Sequence, residues 1–437
     1  MKDEIFMKTK RYRLSAGMMI ALGFLSVIAA GTLLLLLPFS HNGKLSFIDA
    51  LFTSTSAVCV TGLVTVEIGT TYTLFGQIVT AVLIQIGGLG ITSLGAGLIA
   101  LLGGRLNQRE NNLVREALNR PSFKDIFPLI KAVLCLTLVW EAAGAALSFP
   151  VFIRDYSAPR AVWLSIYHSI AAFNNAGFDI LGRGDSICYY AGDIYFNVVT
   201  AILILGGGFG FFAMYEIMHR KKGERFSLHV KTVSFMTVLL TAGGGILLKL
   251  SERDGLTWTE AFFSAVTART AGFASIPMST LSAGGVVLMC ILMFIGASPG
   301  STGGGVKTTT VFVLAKSLAS AAKGREPVAF GKRLKDDIVH KASLIVFLGI
   351  ALVLAATFTL SLFEPKSSLA DLIFEEVSAV ATTGLSRGIT AALSVPSKIV
   401  LIMSMYLGRL GPLSIATLWA ASKKSGVSRP EEDIPIG

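Results

Sequence analysis

The sequence predicts an all-α membrane protein with four tandem repeats around a pseudo-fourfold central pore. Two observations support this prediction: apolar residues form long runs without charge, and a short glycine-marked segment occurs four times. Of the 437 residues, 53% are hydrophobic and 15% are charged, with a mean hydropathy of +0.68. Soluble domains carry about 25% charged residues. The composition therefore excludes an ordinary soluble protein.

The uncharged runs are long enough to cross a bilayer. No Lys, Arg, Asp or Glu occurs between Arg13 and Lys44, or between Glu67 and Arg105. Each run exceeds the roughly 20 residues that a helix needs to span the hydrocarbon core. The first run is too long for a cleavable signal, and no cleavage site followed by a soluble domain is evident. We therefore expect a multi-pass protein of the cell membrane.

Basic residues are distributed unequally between the two faces of the membrane. Segments 104–131, 219–231 and 316–341, together with both termini, carry 26 of the 38 Lys and Arg residues. The loops assigned to the other face carry 9. This excess predicts that the basic face and both termini are cytoplasmic. The net charge of +11 then reflects membrane orientation rather than nucleic-acid binding.

A short segment that ends in glycine occurs four times. In each copy an aromatic residue precedes the marker glycine by ten positions, and Leu or Phe follows it. The strings are FTSTSAVCVTGL, YHSIAAFNNAGF, FFSAVTARTAGF and FEEVSAVATTGL. Four copies in the same place of a larger unit predict an internal repeat. The marker glycines are Gly62, Gly177, Gly272 and Gly384.

Each repeat is predicted to contain a long first helix, a short re-entrant pore helix and a long second helix. This gives eight spanning helices and four pore helices, with repeats at 1–120, 121–225, 226–335 and 336–437. The first helices are expected over 14–38, 126–150, 229–250 and 340–363. The second helices are expected over 74–102, 194–218, 283–318 and 396–420. Glycine knots, which let helices approach closely, begin at Gly87, Gly207, Gly296 and Gly408.

The short segments cannot cross the membrane. Only 17 uncharged residues lie between Asp49 and Glu67, and a helix over 47–58 is about 18 Å long. The chain must return as non-helical backbone, which is tolerated at membrane depth only inside protein or beside a watery cavity. Four such returns around one axis would line it with carbonyl groups. A carbonyl ring of this kind selects a dehydrated monovalent cation such as potassium.

We expect four residues of each repeat, ending at the marker glycine, to form the ion-binding filter. Glycine permits the unusual backbone angles that aim successive carbonyl groups inward. The candidate residues are Cys59, Val60, Thr61, Gly62, Asn174, Asn175, Ala176, Gly177, Arg269, Thr270, Ala271, Gly272, Ala381, Thr382, Thr383 and Gly384. Potassium is expected at the backbone carbonyl groups of Val60, Thr61, Asn175, Ala176, Thr270, Ala271, Thr382 and Thr383.

The four units resemble the Trk/Ktr/HKT superfamily of potassium transporters, through the strings SAVCVTGL, QIGGLG, RTAGF and YLGRLGP. Within it, the chain is most similar to Ktr membrane subunits of the KtrB or KtrD kind, over roughly residues 14–420. The resemblance implies potassium as substrate, sodium as a coupling or activating ion, and no covalent cofactor. It also implies a homodimer and a cytoplasmic nucleotide-binding ring of RCK domains, like KtrA or KtrC.

The second helix of repeat 3 is expected to be interrupted. The string GASPGSTGGGVK places five glycines and one proline in twelve residues, which disfavours a continuous helix. We predict two half-helices joined by a loop just inside the filter. The resemblance implies that this loop is a gate, and a static kink is the alternative. The candidate gate residues are Gly296, Ser298, Pro299, Gly300, Ser301, Thr302, Gly303, Gly304, Gly305, Lys307 and Arg409.

Three basic residues fall within the predicted membrane segments, where a charge is costly and usually faces a partner or a cavity. Arg409 is expected either to repel cations or to brace the loop through its carbonyl groups. Lys307 is expected to extend toward the cytoplasm. Arg269 is expected behind the filter, near an acid such as Glu375 or Glu376.

A proton- or sodium-coupled secondary transporter of another monovalent cation is the main alternative function. Such carriers commonly combine inverted repeats with acids at the membrane midplane, whereas these repeats all run in one direction. Scattered histidines argue against an enzyme, the cysteine spacing indicates no metal site or disulfide, and Glu141 is a minor candidate for ion coupling. The acids of the short segments are expected at outward-facing helix starts: Asp49, Glu260, Asp371, Glu375 and Glu376.

Overall fold

The computed structural model describes residues 16–90, 126–220, 223–252 and 255–411. Within these ranges, four helices are long and apolar enough to cross a membrane, and they are the four predicted first helices. The basic segment up to residue 125 and both termini lie outside the described residues. The first helices are Ala16–Leu35, Ile126–Phe152, Leu228–Glu252 with a π-helical turn over Leu239–Gly243, and Asp336–Phe363.

The outer faces of the first helices are apolar and exposed. Leu33, Val139, Val238 and Phe347, one from each first helix, expose 66%, 65%, 67% and 69% of their surface. Exposed apolar area of this extent on every first helix marks a surface that faces lipid rather than water. The chain is therefore a multi-pass membrane protein.

Four short pore helices follow the first helices and are largely buried. Three of them begin at a hydroxyl cap: Ser46, Thr257 and Ser368 each accept a hydrogen bond from a backbone N–H three residues later. Such caps satisfy donors that the helix itself leaves free. The pore helices are Phe47–Cys59, Ala158–Phe173, Trp258–Thr267 and Leu369–Val380.

The second helices of repeats 1, 2 and 4 reach a glycine with positive φ at the end of a described helix. These glycines are Gly90, Gly210 and Gly411, with φ of 78°, 98° and 84°. In repeat 2 the chain turns by 92° there, so the prediction of a continuous helix was wrong. The predicted continuations to residues 102 and 420 lie outside the described ranges. The helices are Leu74–Leu89, Ile194–Phe209 with Phe211–His219, Ala283–Phe294 with Thr308–Ala321, and Val395–Leu410.

Contacts between repeats close a ring. The second helix of each repeat packs against the pore helix of the next, and that of repeat 4 packs against the pore helix of repeat 1. Lys398 Nζ lies 3.0 Å from Asp49 Oδ1 at this closure. The predicted fold class is thereby confirmed. The chain also forms a small antiparallel hairpin between repeats 3 and 4, with strands Val328–Ala329 and Lys332–Arg333.

Candidate functional site

The four marker glycines meet at one axis. All four line the same cavity, which has a volume of about 390 Å³. A methyl group added to any of them would collide with a backbone carbonyl oxygen of a neighbouring repeat. In each case that oxygen belongs to the residue directly before the neighbouring repeat's own marker glycine. The repeats therefore follow one another around the axis in chain order. For the glycines of repeats 1 to 4, the oxygens belong to Ala176, Ala271, Thr383 and Thr61.

A left-handed residue lies two positions before each marker glycine. Val60, Asn175, Thr270 and Thr382 have φ of 57°, 57°, 70° and 51°, which is uncommon for residues with a side chain. In repeats 1, 2 and 4 the next N–H donates back to the pore helix over 2.8 Å, as in the Schellman helix ending. The N–H groups are thus satisfied by the pore helix. The pairs are Thr61 to Ser56, Ala176 to Ala171, and Thr383 to Ser378.

Repeats 1 and 4 add a side-chain hydrogen bond to the marker glycine. The N–H of Gly62 donates to Ser56 Oγ, and that of Gly384 to Ser378 Oγ, both over 3.0 Å. The equivalent residues of repeats 2 and 3 are alanine and valine, which have no hydroxyl group. The backbone path of the filter region therefore follows approximate fourfold symmetry, but its side-chain hydrogen bonds do not.

The remaining candidate filter side chains are buried around this ring. Residues three positions before the glycines differ in every repeat: Cys59, Asn174, Arg269 and Ala381 are 0%, 0%, 4% and 2% exposed. The threonine hydroxyl oxygens are also buried and have no hydrogen-bond partner within the described residues. These threonines are Thr61, Thr270, Thr382 and Thr383.

The pore helices meet the second helices at the glycine knots. A methyl group on the knot glycine of repeats 1, 2 or 4 would collide with a carbonyl oxygen near the end of the same repeat's pore helix. Only glycine allows this approach, because any side chain would occupy the place of the oxygen. The pairs are Gly87 with Val58, Gly207 with Phe173, and Gly408 with Val380.

Acidic residues that sequence reasoning missed line the outer part of the cavity. Glu67, Asp179 and Asp185 follow two marker glycines at different spacings, so nothing in the sequence brings them together. Burial, reinforced by the Glu67 and Asp185 carboxylates, raises the pKa of Asp179 to about 7. Asp179 therefore contributes a negative charge mainly above about pH 7. Arg387 also lines the cavity, but it is paired with Asp371 over 2.5 Å.

Two acids of the fourth pore helix are not at its start, contrary to the prediction. Glu375 and Glu376 are fully buried in its body. Glu375 accepts hydrogen bonds from Ser386 Oγ at 2.5 Å and from Thr390 Oγ1 at 2.9 Å. Among the described residues Arg269 forms no ion pair with either acid. Glu375 instead holds the loop that follows the marker glycine.

The second helix of repeat 3 is interrupted between Phe294 and Thr308 by a buried loop that lies beneath the marker glycines. Its ends run side by side, with Gly296 N–H donating to the Val306 carbonyl over 2.9 Å. Methyl groups on the glycines at 303 and 304 would collide with the hydroxyl oxygens of Thr270 and Thr382. The two predicted half-helices and their loop are therefore present, and the loop touches the candidate filter.

Other repeats hold the loop in place. The N–H groups of Ser298 and Thr302 donate to the carbonyls of Gly208 and Gly207, over 3.1 and 3.2 Å. Thr302 Oγ1 also donates to the Phe173 carbonyl at the end of the second pore helix, over 3.2 Å. The loop thus occupies the bend that the positive-φ glycine creates in the second helix of repeat 2.

Two basic side chains complete the loop's hydrogen bonds. Arg409 donates to the Thr302 carbonyl over 2.7 Å and to the Gly87 carbonyl, linking the loop to repeats 4 and 1. Lys307 folds back and donates to the carbonyls of residues 303 and 304, over 2.7 and 3.2 Å. The expectation that Lys307 extends to the cytoplasm was therefore wrong, because the loop offers nearer oxygen acceptors.

Comparisons with known proteins agree on one family. The family model TrkH, described as cation transport protein, matches residues 8–252 and 226–428. The chain is 35% identical to Ktr system potassium uptake protein B of Bacillus subtilis, covering 100% of this chain and 99% of that one. It is 37% identical to potassium/sodium uptake protein NtpJ of Enterococcus hirae, covering 99% and 100%. The crystal structure of the potassium transporter TrkH from Vibrio parahaemolyticus matches with a TM-score of 0.75, at 20% identity, over 95% of this chain and 86% of that one.

Proposed function

The chain belongs to the TrkH family of cation transport proteins, and on this premise we propose that it is a potassium-selective subunit of a Ktr-type uptake system in the cell membrane. The observation that carries this proposal is the ring in which each marker glycine faces a carbonyl oxygen of the neighbouring repeat. The relatives named as potassium uptake proteins at 35% identity support potassium as the substrate.

In this proposal the carbonyl groups of the two residues before each marker glycine replace the hydration shell of potassium. Carbonyl oxygens suit a monovalent cation that must be bound and released quickly. The carboxyl-terminal ends of four pore helices add partial negative charge at the inner end of the filter. When they are ionised, the carboxyl groups of Glu67 and Asp179 in the outer cavity raise the local cation concentration before entry. The acids attract cations to the entrance, and the carbonyl groups discriminate potassium from sodium.

We assign the gate to the buried loop between Phe294 and Thr308. Two contacts support this: its glycines lie against Thr270 and Thr382, and Arg409 holds it through the Thr302 carbonyl. A loop that rests on the inner end of the filter blocks ion passage. Displacing it requires exchange of hydrogen bonds but no movement of the filter strands.

Regulation from the cytoplasm is the third part of the proposal. The half-helix after the loop, Thr308–Ala321, leads into the basic segment that the charge distribution assigns to the cytoplasm. We propose that an RCK-type nucleotide-binding ring acts on this side, that the chain is a homodimer, and that both termini are cytoplasmic. The words "Ktr system" in the names of relatives suit a multi-subunit assembly, and "potassium/sodium" in another suits dependence on sodium.

Growth of a potassium-uptake-deficient bacterium at low potassium tests the proposal. Expression of the chain is expected to restore growth, and co-expression of an RCK-type partner is expected to increase it further. A variant with Gly384→Ser serves as the matched negative control, because its added side chain collides with the Thr61 carbonyl. Absence of growth from wild-type chain that is present in the membrane at normal levels, with and without the partner, would refute it.

A further inference from the structure

Repeat 2 holds its filter strand in a different way from repeats 1 and 4. It has Ala171 where those repeats have the serine whose hydroxyl accepts the N–H of the marker glycine. It carries instead Asn174, which directly precedes the left-handed Asn175. The equivalent residues of the other repeats are cysteine, arginine and alanine. An amide at this position is therefore particular to repeat 2.

The Asn174 side chain is held by two other helices. Its Nδ2 donates to Glu141 Oε1 on the first helix of repeat 2 and to Gln85 Oε1 on the second helix of repeat 1, both over 2.9 Å. The same nitrogen lies 2.9 Å from the Ile170 carbonyl of its own pore helix. Asn174 is fully buried, and Gly88 packs directly against its amide, since a methyl group added to this glycine would collide with Asn174 Oδ1.

Glu141 is itself fixed and buried. It is 8% exposed, and its backbone carbonyl accepts a 2.7 Å hydrogen bond from Ser169 Oγ of the pore helix. An acid at membrane depth is costly and is usually retained for a function. Its carboxyl oxygen points at the amide beside the filter strand.

We infer that Glu141 is a positioning residue for ion selectivity, which fixes the repeat 2 filter strand through the side chain of Asn174. This inference rests on the proposed function. Glu141 acts as a hydrogen-bond acceptor, with Gln85 as the second acceptor from the neighbouring repeat. Strand 2 has the same backbone hydrogen bond to its own pore helix as strands 1 and 4, and the Asn174 side chain adds a link to the second helix of repeat 1.

The test is the ratio of potassium to sodium uptake in proteoliposomes. Glu141→Ala is expected to lower this ratio by roughly threefold to tenfold, the range that follows from loss of one buried hydrogen bond to a charged or polar group. Glu141→Gln keeps an acceptor oxygen at the same place and is expected to retain the wild-type ratio. Gln85→Ala is expected to lower the ratio in the same direction, and it removes no acid, so it covers the case in which Glu141→Ala fails to fold.

Leu138→Ala is the matched control, because this residue of the same helix is 65% exposed on the apolar outer face. An unchanged ratio in both Glu141→Ala and Gln85→Ala would overturn the inference. A ratio in Glu141→Gln as low as in Glu141→Ala would also overturn it, since charge rather than hydrogen bonding would then be required. A wild-type chain that takes up both ions equally would instead refute the proposed function, and this inference with it.

Discussion

The proposed filter strands and the proposed gate loop are both non-helical backbone buried at membrane depth, but their N–H groups donate to different parts of the chain. Thr61 and Thr383 donate to residues five positions earlier in their own pore helices. Ser298 and Thr302 of the loop donate to carbonyl groups of repeat 2. The strands of repeats 1 and 4 are thus held by their own pore helices, whereas the loop is also held by hydrogen bonds to another repeat.

This difference separates two tasks. Local hydrogen bonds move with the pore helix, so a filter strand keeps its geometry when neighbouring helices shift. Bonds between repeats break together when the second helices move apart, because buried packing has discrete arrangements rather than gradual ones. The locally held region suits discrimination between ions, and the region held between repeats suits opening and closing.

Substitution of a marker glycine tests the filter strands, which are held by their own pore helices, and has the largest expected effect. Gly62→Ser adds a side chain at φ 96° where it collides with the Ala176 carbonyl. We expect the potassium-to-sodium uptake ratio in proteoliposomes to fall by at least about tenfold, equivalent to about 1.4 kcal/mol. Gly43→Ser is the matched control, since it has φ 77° but no atom within 4 Å of the added group. Equal ratios for the two variants would contradict the filter assignment.

Deletion of Ser301–Gly304 tests the loop that hydrogen bonds hold to another repeat. It removes the Thr302 contacts with repeat 2 and the glycines that lie against the filter threonines. We expect basal potassium flux without a regulatory partner to rise roughly tenfold, while the potassium-to-sodium ratio changes little, because several buried hydrogen bonds are lost from the closed state only. Low flux from a folded deletion variant would mean that the loop is not the gate.

Substitution of Arg409 tests a single attachment of the loop and has the smallest expected effect. Arg409→Ala removes one of several attachments of the loop, so basal flux is expected to rise about threefold. Arg409→Lys separates the two explanations of this residue. If the guanidinium braces the loop by bridging the Thr302 and Gly87 carbonyls, lysine cannot replace it, and flux rises as in the alanine variant. If it repels cations, the lysine variant behaves like the wild type.

Much of the architecture could be read from local sequence patterns. The first helices and pore helices follow from uncharged runs and aromatic-to-glycine spacing, and the first pore helix ends at Cys59, one residue beyond the predicted end. The loop in repeat 3 follows from its glycine and proline content. The bend at Gly210 was missed because the knot GGFG offers several glycines. Only the tertiary structure selects one of them, through the 2.8 Å hydrogen bond from the Phe211 N–H to the Gly300 carbonyl of the repeat 3 loop.

The sequence by itself determined the number of repeats, the positions of the four first helices and the glycine-marked turn in each repeat, since each depends on residues close together in the chain. The tertiary structure alone decided where Lys307, Glu375 and Arg409 direct their side chains, and that Asn174 meets Glu141 and Gln85. Buried polar groups in a membrane must find partners among whatever the fold brings near. Those partners are far apart in the chain, so no local pattern records them.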